Sequence, residues 1–177
     1  MQWFVLELEK YFDDSLAFVE NLDVKTDLMA RNKDILDVSL AKVDGNLYVN
    51  KSKYILHYQA YVTLTLPSTR SLKPVSLPMK FSVDETFMTQ EQFDKRDELI
   101  KEDEVLIIEE QIIDLDDSVK DNILLSIPLK VLSEEEKNDD DYLQGKTWQV
   151  ISESQYKILQ KEKPNSPFDE LKDLFEE

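Results

Sequence analysis

Five basic side chains and one tyrosine are the residues of this sequence best suited to binding chemistry. No Asp or Glu occurs between Gly45 and Val83. The candidate contacts within this acid-free span are Arg70, Lys73, Lys51, Lys53, Lys80 and Tyr61. Aromatic rings beside lysines and arginines bind single-stranded RNA by stacking on its bases and attracting its phosphates. We therefore predict that these six residues contact RNA, with plain sheet packing as the alternative role of the tyrosine.

Arg70 and Lys73 form the sharper part of this prediction. They lie in the segment PSTRSLKP, residues 67–74, between two prolines and between two predicted strands. Binding groups are often found on loops that rigid strands hold in place. The alternative is a stiff hairpin connection whose charges serve solubility alone.

The net charge of −17 belongs entirely to the second half of the chain. Residues 1–83 contain 10 acids and 10 bases, whereas residues 84–177 contain 28 acids and 11 bases. A local basic surface on an acidic protein can still hold RNA, because charges act over about 10 Å at ordinary salt. The acidic half suits a basic protein instead, so contact with RNA and adaptor binding of a basic protein are both open hypotheses.

Composition excludes several kinds of catalytic and metal site. The sequence has no cysteine, one histidine (His57) and two glycines. These counts rule out disulfides, thiolate chemistry, sulfur-ligated metals, His-rich metal sites and glycine-rich phosphate loops. Pairs of carboxylates occur, but they are expected by chance among 38 acids. We predict no cofactor, no metal and no enzymatic activity, and a surface position for His57.

The chain also lacks the features of a membrane or secreted protein. Its apolar runs are much shorter than the roughly 20 residues that span a bilayer. Acids already occur within the first ten residues, where a signal peptide would have basic residues followed by an apolar stretch. We predict a cytoplasmic protein, and a monomer because no heptad seam or long exposed apolar strand is evident.

Two alternating strands hold the acid-free span. From Tyr54 to Leu66 the even-numbered residues are apolar, and from Val75 to Val83 the odd-numbered residues are apolar. Alternation with a period of two predicts strands with one buried face, which places Tyr58 inside and Tyr61 outside. Pro78 cannot donate a hydrogen bond to a neighbouring strand, so we predict that the second strand is an edge strand or carries a bulge.

Weaker patterns predict further strands and turns. Residues 35–43 alternate as a half-buried strand would, with Leu36, Val38 and Leu40 on the inner face. Asp44-Gly45-Asn46 then predicts a hairpin turn, because Asp-Gly is a favoured turn pair. The charged residues 88–104 predict a short helix or a mobile loop, and 105–108 predict a buried strand.

One helix has clear start and stop signals. We expect Asp114 to cap its start. Leu115, Val119 and Ile123 are spaced to form one buried face of the helix. Pro128 should end the helix near residue 126. The acidic run 133–142 predicts a disordered loop, and residues 166–177 predict a short amphipathic C-terminal helix. Together the patterns predict one β-rich α+β domain over residues 1–177, with a mainly antiparallel sheet or partial barrel and a few short helices.

The order of these elements resembles the YceD-like family, the large ribosomal RNA subunit accumulation proteins. The sequence STRSLKPV (68–75) resembles the family's loop of a small residue or Cys, any residue, Arg, small or Cys, Leu, any residue and Pro. The sequence IDLDDSVKDNILLSIPLK (113–130) is similar to its Asp-Leu…Val…Ile-Leu-Leu-x-x-Pro helix, and SPFDELKDLF resembles its terminal helix. The family-motif residues are Arg70, Leu72, Pro74, Asp114, Leu115 and Pro128.

The resemblance implies a bacterial cytoplasmic factor that supports accumulation of large-subunit (23S) ribosomal RNA by binding that RNA or pre-ribosomal particles. The alternative is an acidic adaptor or chaperone for a basic ribosomal protein, without RNA contact. The sequence departs from the family at two places. Ser68 and Ser71 stand where many relatives have cysteines, so no zinc role is carried over, and Phe168 replaces the arginine of the terminal pattern.

Overall fold

The computed structural model describes residues 1–95, 105–138, 147 and 156–157. Two compact units divide the chain, Met1–Val131 and Leu132–Glu177. The strands of the first unit are β1 (Gln2–Phe4), β2 (Asp14–Leu22), β3 (Asp37–Val38), β4 (Ala41–Val49), β5 (Tyr54–Pro67), β6 (Pro74–Met88), β7 (Val105–Ile107) and β8 (Ile112–Asp114). Its helices are α1 (Val5–Leu8), a 3₁₀ turn (Glu9–Tyr11), α2 (Lys25–Arg31), α3 (Gln90–Asp94) and α4 (Leu115–Leu125), and the second unit contains α5 (Glu134–Asn138). The predicted single domain over residues 1–177 stays a prediction, because most of the second unit lies outside the described residues.

The main sheet of the first unit is open. Its strand order is β2-β4-β5-β6-β7, with β3 paired to β5, while β1 and β8 form a separate antiparallel pair. All neighbours are antiparallel except β6 and β7, which run parallel. The predicted β-rich α+β class is therefore confirmed, and the sheet is open rather than a partial barrel.

The β5–β6 hairpin follows the predicted alternation. The even-numbered residues of β5 are buried from Tyr54 to Leu66, and they share the core with the inward residues of β6. Within the described residues, β7 pairs only with Thr86–Met88, and the rest of β6 is an edge. Pro78 lies in that edge, opposite Thr63, where the missing N–H leaves no ladder bond unmade.

Helix α4 packs on the core face of the sheet and begins and ends as predicted. The Asp114 carboxylate accepts hydrogen bonds from the N–H groups of Asp116 (2.9 Å) and Asp117 (3.4 Å), which caps the helix start. The helix runs to Leu125 and is followed by its C-cap residue Ser126, two residues before Pro128. Its buried hydrophobic stripe is Leu115, Val119 and Ile123, each fully buried.

The predicted turn at residues 44–46 is wrong, because these residues lie in the middle of β4. Gly45 has no positive φ and is needed for another reason. A Cβ there would collide with the carbonyl oxygen of His57 and would lie 2.6 Å from Tyr58 Cβ. The glycine therefore permits close approach of β4 to β5, and the true hairpin turn comes at residues 50–53.

The strand predicted over residues 35–43 is also interrupted. Only Asp37–Val38 pairs as β3, and Leu36 and Leu40 are exposed rather than buried. The reason is Ser39: its N–H donates to the Thr63 carbonyl, and its hydroxyl oxygen accepts from the Thr63 N–H, each at 2.9 Å. The side chain thereby replaces a backbone acceptor, and the chain restarts as β4 two residues later.

Residues 105–108 were predicted to form a buried strand. In the structure β7 (Val105–Ile107) is instead the last strand of the sheet that the described residues form. Leu106 and Ile107 are exposed, and only Ile108 is buried. An apolar run is compatible with either position, because periodicity alone does not report how many neighbours a strand has. The connection before it contains α3, whose start is closed by a capping box between Thr89 and Gln92.

In the second unit, part of the segment predicted as a disordered loop is helical. Residues 134–138 form α5, and Ser133 and Glu136 exchange hydrogen bonds: the Ser133 N–H donates to the carboxylate (2.9 Å), and the Glu136 N–H donates to the hydroxyl (3.2 Å). This is the capping box that the sequence Ser-Glu-Glu-Glu encodes. Residues 139–142 and the predicted helix 166–177 lie outside the described residues.

Candidate nucleic-acid interface

The outer face of the main sheet, opposite α4, has a row of two lysines and a tyrosine. Lys42 of β4 is paired with Tyr61 of β5, and Tyr61 is paired with Lys80 of β6. Directly paired residues of antiparallel strands point to the same side, and all three side chains are exposed. We call Lys42, Tyr61 and Lys80 the lysine–tyrosine row.

The geometry of this row couples charge to an aromatic surface. Lys80 Nζ lies 5.0 Å from the centre of the Tyr61 ring, within the range of a cation–π contact. The Tyr61 hydroxyl donates to Gln59 Oε1 at 3.0 Å, which orients the ring. Since adjacent strands are about 4.8 Å apart, the backbones of Lys42 and Lys80 are roughly 10 Å apart. Two cations at this spacing can attract neighbouring phosphates of one strand while the ring meets a base.

The surroundings of the row are mixed in charge. Asp44 and Gln59 form the next pair along the same face, and beyond them His57 Nδ1 lies 2.6 Å from Asp84 Oδ1. His57 is thus at the surface, paired across the hairpin. Next to the row, Ser39, Thr63 and Pro78 line a shallow groove of about 290 Å³.

The remaining predicted contacts lie at opposite ends of β5. Lys51 and Lys53 belong to the turn before this strand, and Arg70 and Lys73 belong to the loop after it. Fourteen residues in extended conformation separate the two ends by about 43 Å. The five bases of the acid-free span therefore do not form one basic face. The six predicted residues fall into three separate places: the turn of Lys51 and Lys53, the loop of Arg70 and Lys73, and the pair Tyr61 and Lys80 on the sheet. Lys42, which lies before the acid-free span, joins the last of these.

Hydrogen bonds hold the loop between β5 and β6 in a defined conformation. Ser68 is fully buried, and its hydroxyl oxygen accepts from the N–H groups of Arg70 (3.0 Å) and Ser71 (3.2 Å). The N–H and hydroxyl of Thr69 both donate to the Val131 carbonyl, at 2.8 and 3.0 Å. The loop is thereby tied to the segment after α4, a long-range contact that local sequence does not reveal.

A partly buried polar network joins the sheet to α4. Glu85 accepts from the Ser118 hydroxyl (2.6 Å) and from Asn122 Nδ2 (2.7 Å), and Ser118 Oγ lies 2.9 Å from the Tyr58 hydroxyl. Since Ser118 donates its only proton to the carboxylate, Tyr58 donates to Ser118. Burial raises the pKa of Tyr58, so the phenol stays protonated. Sequence reasoning missed this network, although an acid at the inward position 85 was a usable signal.

The described part of the chain contains no group of three or more His, Cys, Asp or Glu side chains that could hold a metal ion. None of the helices within those residues is long and apolar enough to cross a membrane.

Comparison with known proteins identifies a family. No curated protein and no solved structure gives a significant match to the chain. A family model described as "Large ribosomal RNA subunit accumulation protein YceD" matches residues 56–175. The match includes most of the β5–β6 hairpin, its anchored loop and α4, and it covers more than half of the sequence. The chain therefore belongs to the YceD family of large ribosomal RNA subunit accumulation proteins.

Proposed function

We propose that this protein is a non-enzymatic ribosome-biogenesis factor of the bacterial cytoplasm, which supports accumulation of large-subunit (23S) ribosomal RNA by contacting pre-ribosomal RNA. The observation that carries the proposal is the lysine–tyrosine row, where an exposed ring lies between two exposed lysines on the outer face of the sheet. The name of the family points to large-subunit ribosomal RNA, and the row is a surface suited to single-stranded RNA.

The row combines the two interactions that bind single-stranded RNA without reading its sequence. Stacking of one base on an aromatic ring contributes about 1–3 kcal/mol. Two lysine–phosphate contacts give a salt dependence with a slope of about −1.4 on logarithmic axes. Both contributions to the binding free energy are modest, and the net charge of −17 repels RNA phosphates. We therefore expect weak binding to isolated RNA.

Binding can be measured by fluorescence anisotropy with a labelled ten-nucleotide single-stranded oligoribonucleotide from 23S RNA, and by co-sedimentation with large-subunit precursor particles. We expect Tyr61→Ala to weaken binding at least fivefold, and Lys42→Glu with Lys80→Glu to weaken it further. The matched control is Lys10→Glu with Lys95→Glu, which changes net charge equally but lies near the Tyr54 end of β5, away from the row. Equal losses in both double variants would show that net charge, and not the row, governs binding, and would refute the proposal.

The four hairpin bases do not carry this proposal, because they stand apart from the row. Arg70 and Lys73 are about 20 Å along β5 from Tyr61, and Lys51 and Lys53 are at the other end. The double variant Arg70→Ala with Lys73→Ala tests the loop separately in the same assays. Unchanged binding to precursor particles would remove the loop from the RNA-contacting surface.

The second candidate function is an adaptor or chaperone for a basic ribosomal protein. It is favoured by the scatter of the five bases over the sheet and by the excess of 38 acids over 21 bases. The two candidates differ in a pull-down from lysate with and without ribonuclease. Recovery of 23S RNA that ribonuclease abolishes supports RNA contact, whereas ribonuclease-resistant recovery of one basic ribosomal protein supports the adaptor.

A further inference from the structure

An exposed apolar corner lies where the β5–β6 loop meets the segment after α4. Leu72 is 75% exposed, and Leu129 is entirely exposed. Between them is a groove of about 280 Å³, which is also lined by Leu66, Ile127 and Pro128. We call the surface formed by Leu72, Pro128 and Leu129 the leucine corner.

The leucine corner is preformed. Its two sides are joined by the bonds from Thr69 to the Val131 carbonyl, and the loop is closed internally by the Ser68 N–H, which donates to the Lys73 carbonyl at 2.8 Å. Because the backbone on both sides is held by hydrogen bonds, a ligand entering the groove would not need to order it. Preorganisation of this kind lowers the entropic cost of binding.

Leu72 adopts a backbone conformation that does not suit leucine. Its φ is +62°, in the left-handed region that Gly and Asn occupy most easily. The loop holds this conformation, since the Leu72 N–H donates to the Ser68 carbonyl at 3.0 Å, yet the side chain is mostly exposed to solvent. Strained backbone of this kind clusters at ligand-binding and active sites.

The charges around the corner are opposite to those of the protein as a whole. Lys33, Lys73 and Lys130 are exposed, and each is adjacent in sequence to a residue that lines the groove. One acid, Asp34, lines the groove itself. In a chain of net charge −17, the three lysines beside the groove outnumber the one acid among its described lining residues.

We propose that the leucine corner is a docking site for a protein segment that carries two large apolar side chains flanked by Asp or Glu. The two leucines would contact the apolar side chains of the segment, and the three lysines would attract its Asp or Glu carboxylates. RNA fits less well, because aliphatic side chains offer no stacking surface. The site is separate from the lysine–tyrosine row, and the proposal stands without that row binding RNA.

The test uses the full chain and a phage-displayed library of random 12-residue peptides. We expect selected peptides to share two large apolar residues and a net negative charge. The selected peptides are then synthesised with a fluorescent label. We expect them to bind the Leu129→Ser variant, and the double variant Lys73→Glu with Lys130→Glu, at least tenfold more weakly than the wild type. The matched control is Leu6→Ser, which removes another mostly exposed leucine (72%), in α1, and should leave the affinity unchanged.

A second variant separates binding from folding. Leu72→Gly relieves the left-handed backbone and should leave the melting temperature at or above that of the wild type, while the peptide affinity falls at least tenfold. A lowered melting temperature with unchanged affinity would assign Leu72 to stability and overturn the proposal.

Three other results would also overturn it: selected peptides without acidic residues, oligoribonucleotide binding that Leu129→Ser abolishes, or a wild-type dimer that becomes monomeric in Leu129→Ser. The first would remove the charge complementarity, the second would assign the corner to RNA, and the third would assign it to a second copy of the chain. Light scattering after size exclusion measures the third.

Discussion

Glu85→Gln combined with Tyr58→Phe tests the direction of the hydrogen bonds that join the sheet to α4. In the wild type, protons run from Tyr58 to Ser118 and from Ser118 to the Glu85 carboxylate, which also accepts from Asn122. Removing the phenol hydroxyl leaves the Ser118 proton satisfied. Tyr58→Phe should therefore destabilise the fold by only about 1 kcal/mol.

Glutamine at position 85 has one acceptor where the carboxylate had two. Its oxygen can keep the bond from Asn122, and its NH₂ group then donates to Ser118, whose proton must turn towards Tyr58. The Tyr58 proton is then left without its acceptor. A charged acceptor is replaced by a neutral one and one hydroxyl proton is unpaired, so the expected cost is about 2–4 kcal/mol. In the double variant the unpaired proton is that of Ser118, so the number of unpaired protons is the same as in Glu85→Gln alone. The two losses should therefore add within about 0.5 kcal/mol.

Urea unfolding at pH 7, followed by far-UV circular dichroism, measures these free energies of unfolding. Tyr61→Phe is the matched control, because it removes a phenol hydroxyl that is bonded to Gln59 on the exposed face; it should change stability by less than about 0.5 kcal/mol. A double-variant loss that differs from the sum of the single losses by more than about 1 kcal/mol, at an unchanged urea slope, would refute the proposed direction of the proton chain.

Two further predictions concern the sheet and the surface charges. Gly45→Ala should destabilise the protein by about 3 kcal/mol or more in the same urea assay, because the added methyl group meets the backbone of β5 rather than a side chain that can move; a loss below about 1 kcal/mol would contradict the close approach. The Asp37 carboxylate accepts hydrogen bonds from Lys25 Nζ (2.7 Å) and from the Val38 N–H. These bonds, that of Lys25 above all, lower the pKa of Asp37 below 3.8. The stabilisation by this bond is present above pH 3.8 and is lost as the pH falls through the lowered pKa, so wild type and Asp37→Asn should converge in stability under acid titration; a difference that persists below pH 2 would contradict the pairing.

Local patterns predicted those elements whose signals depend on near neighbours in the sequence. The alternation of β5 and β6 identified the inner face because strand side chains alternate strictly, and Asp114 and Pro128 delimited α4 because capping and helix breaking act within one turn. The same logic would have found α5 from Ser133 and Glu136, but the density of acids favoured disorder instead.

The errors arose where the decisive partner is distant in sequence. Asp44-Gly45-Asn46 has the composition of a turn, yet Gly45 is required by the approach of β5. The break after Val38 depends on Ser39 bonding across to Thr63. In both cases a backbone partner more than ten residues away outweighs the local preference.

The sequence by itself determined the class of fold, the exposed and buried faces of the central hairpin, and the absence of thiol and His-rich metal chemistry, because these follow from residue types and a period of two. Only the tertiary structure decided which basic side chains lie near one another. Pairing of β4, β5 and β6 places Lys42, Tyr61 and Lys80 in one row, while the length of β5 holds Lys51 and Lys53 about 43 Å from the loop of Arg70 and Lys73. Strand register and strand length set these distances, and neither can be read from composition.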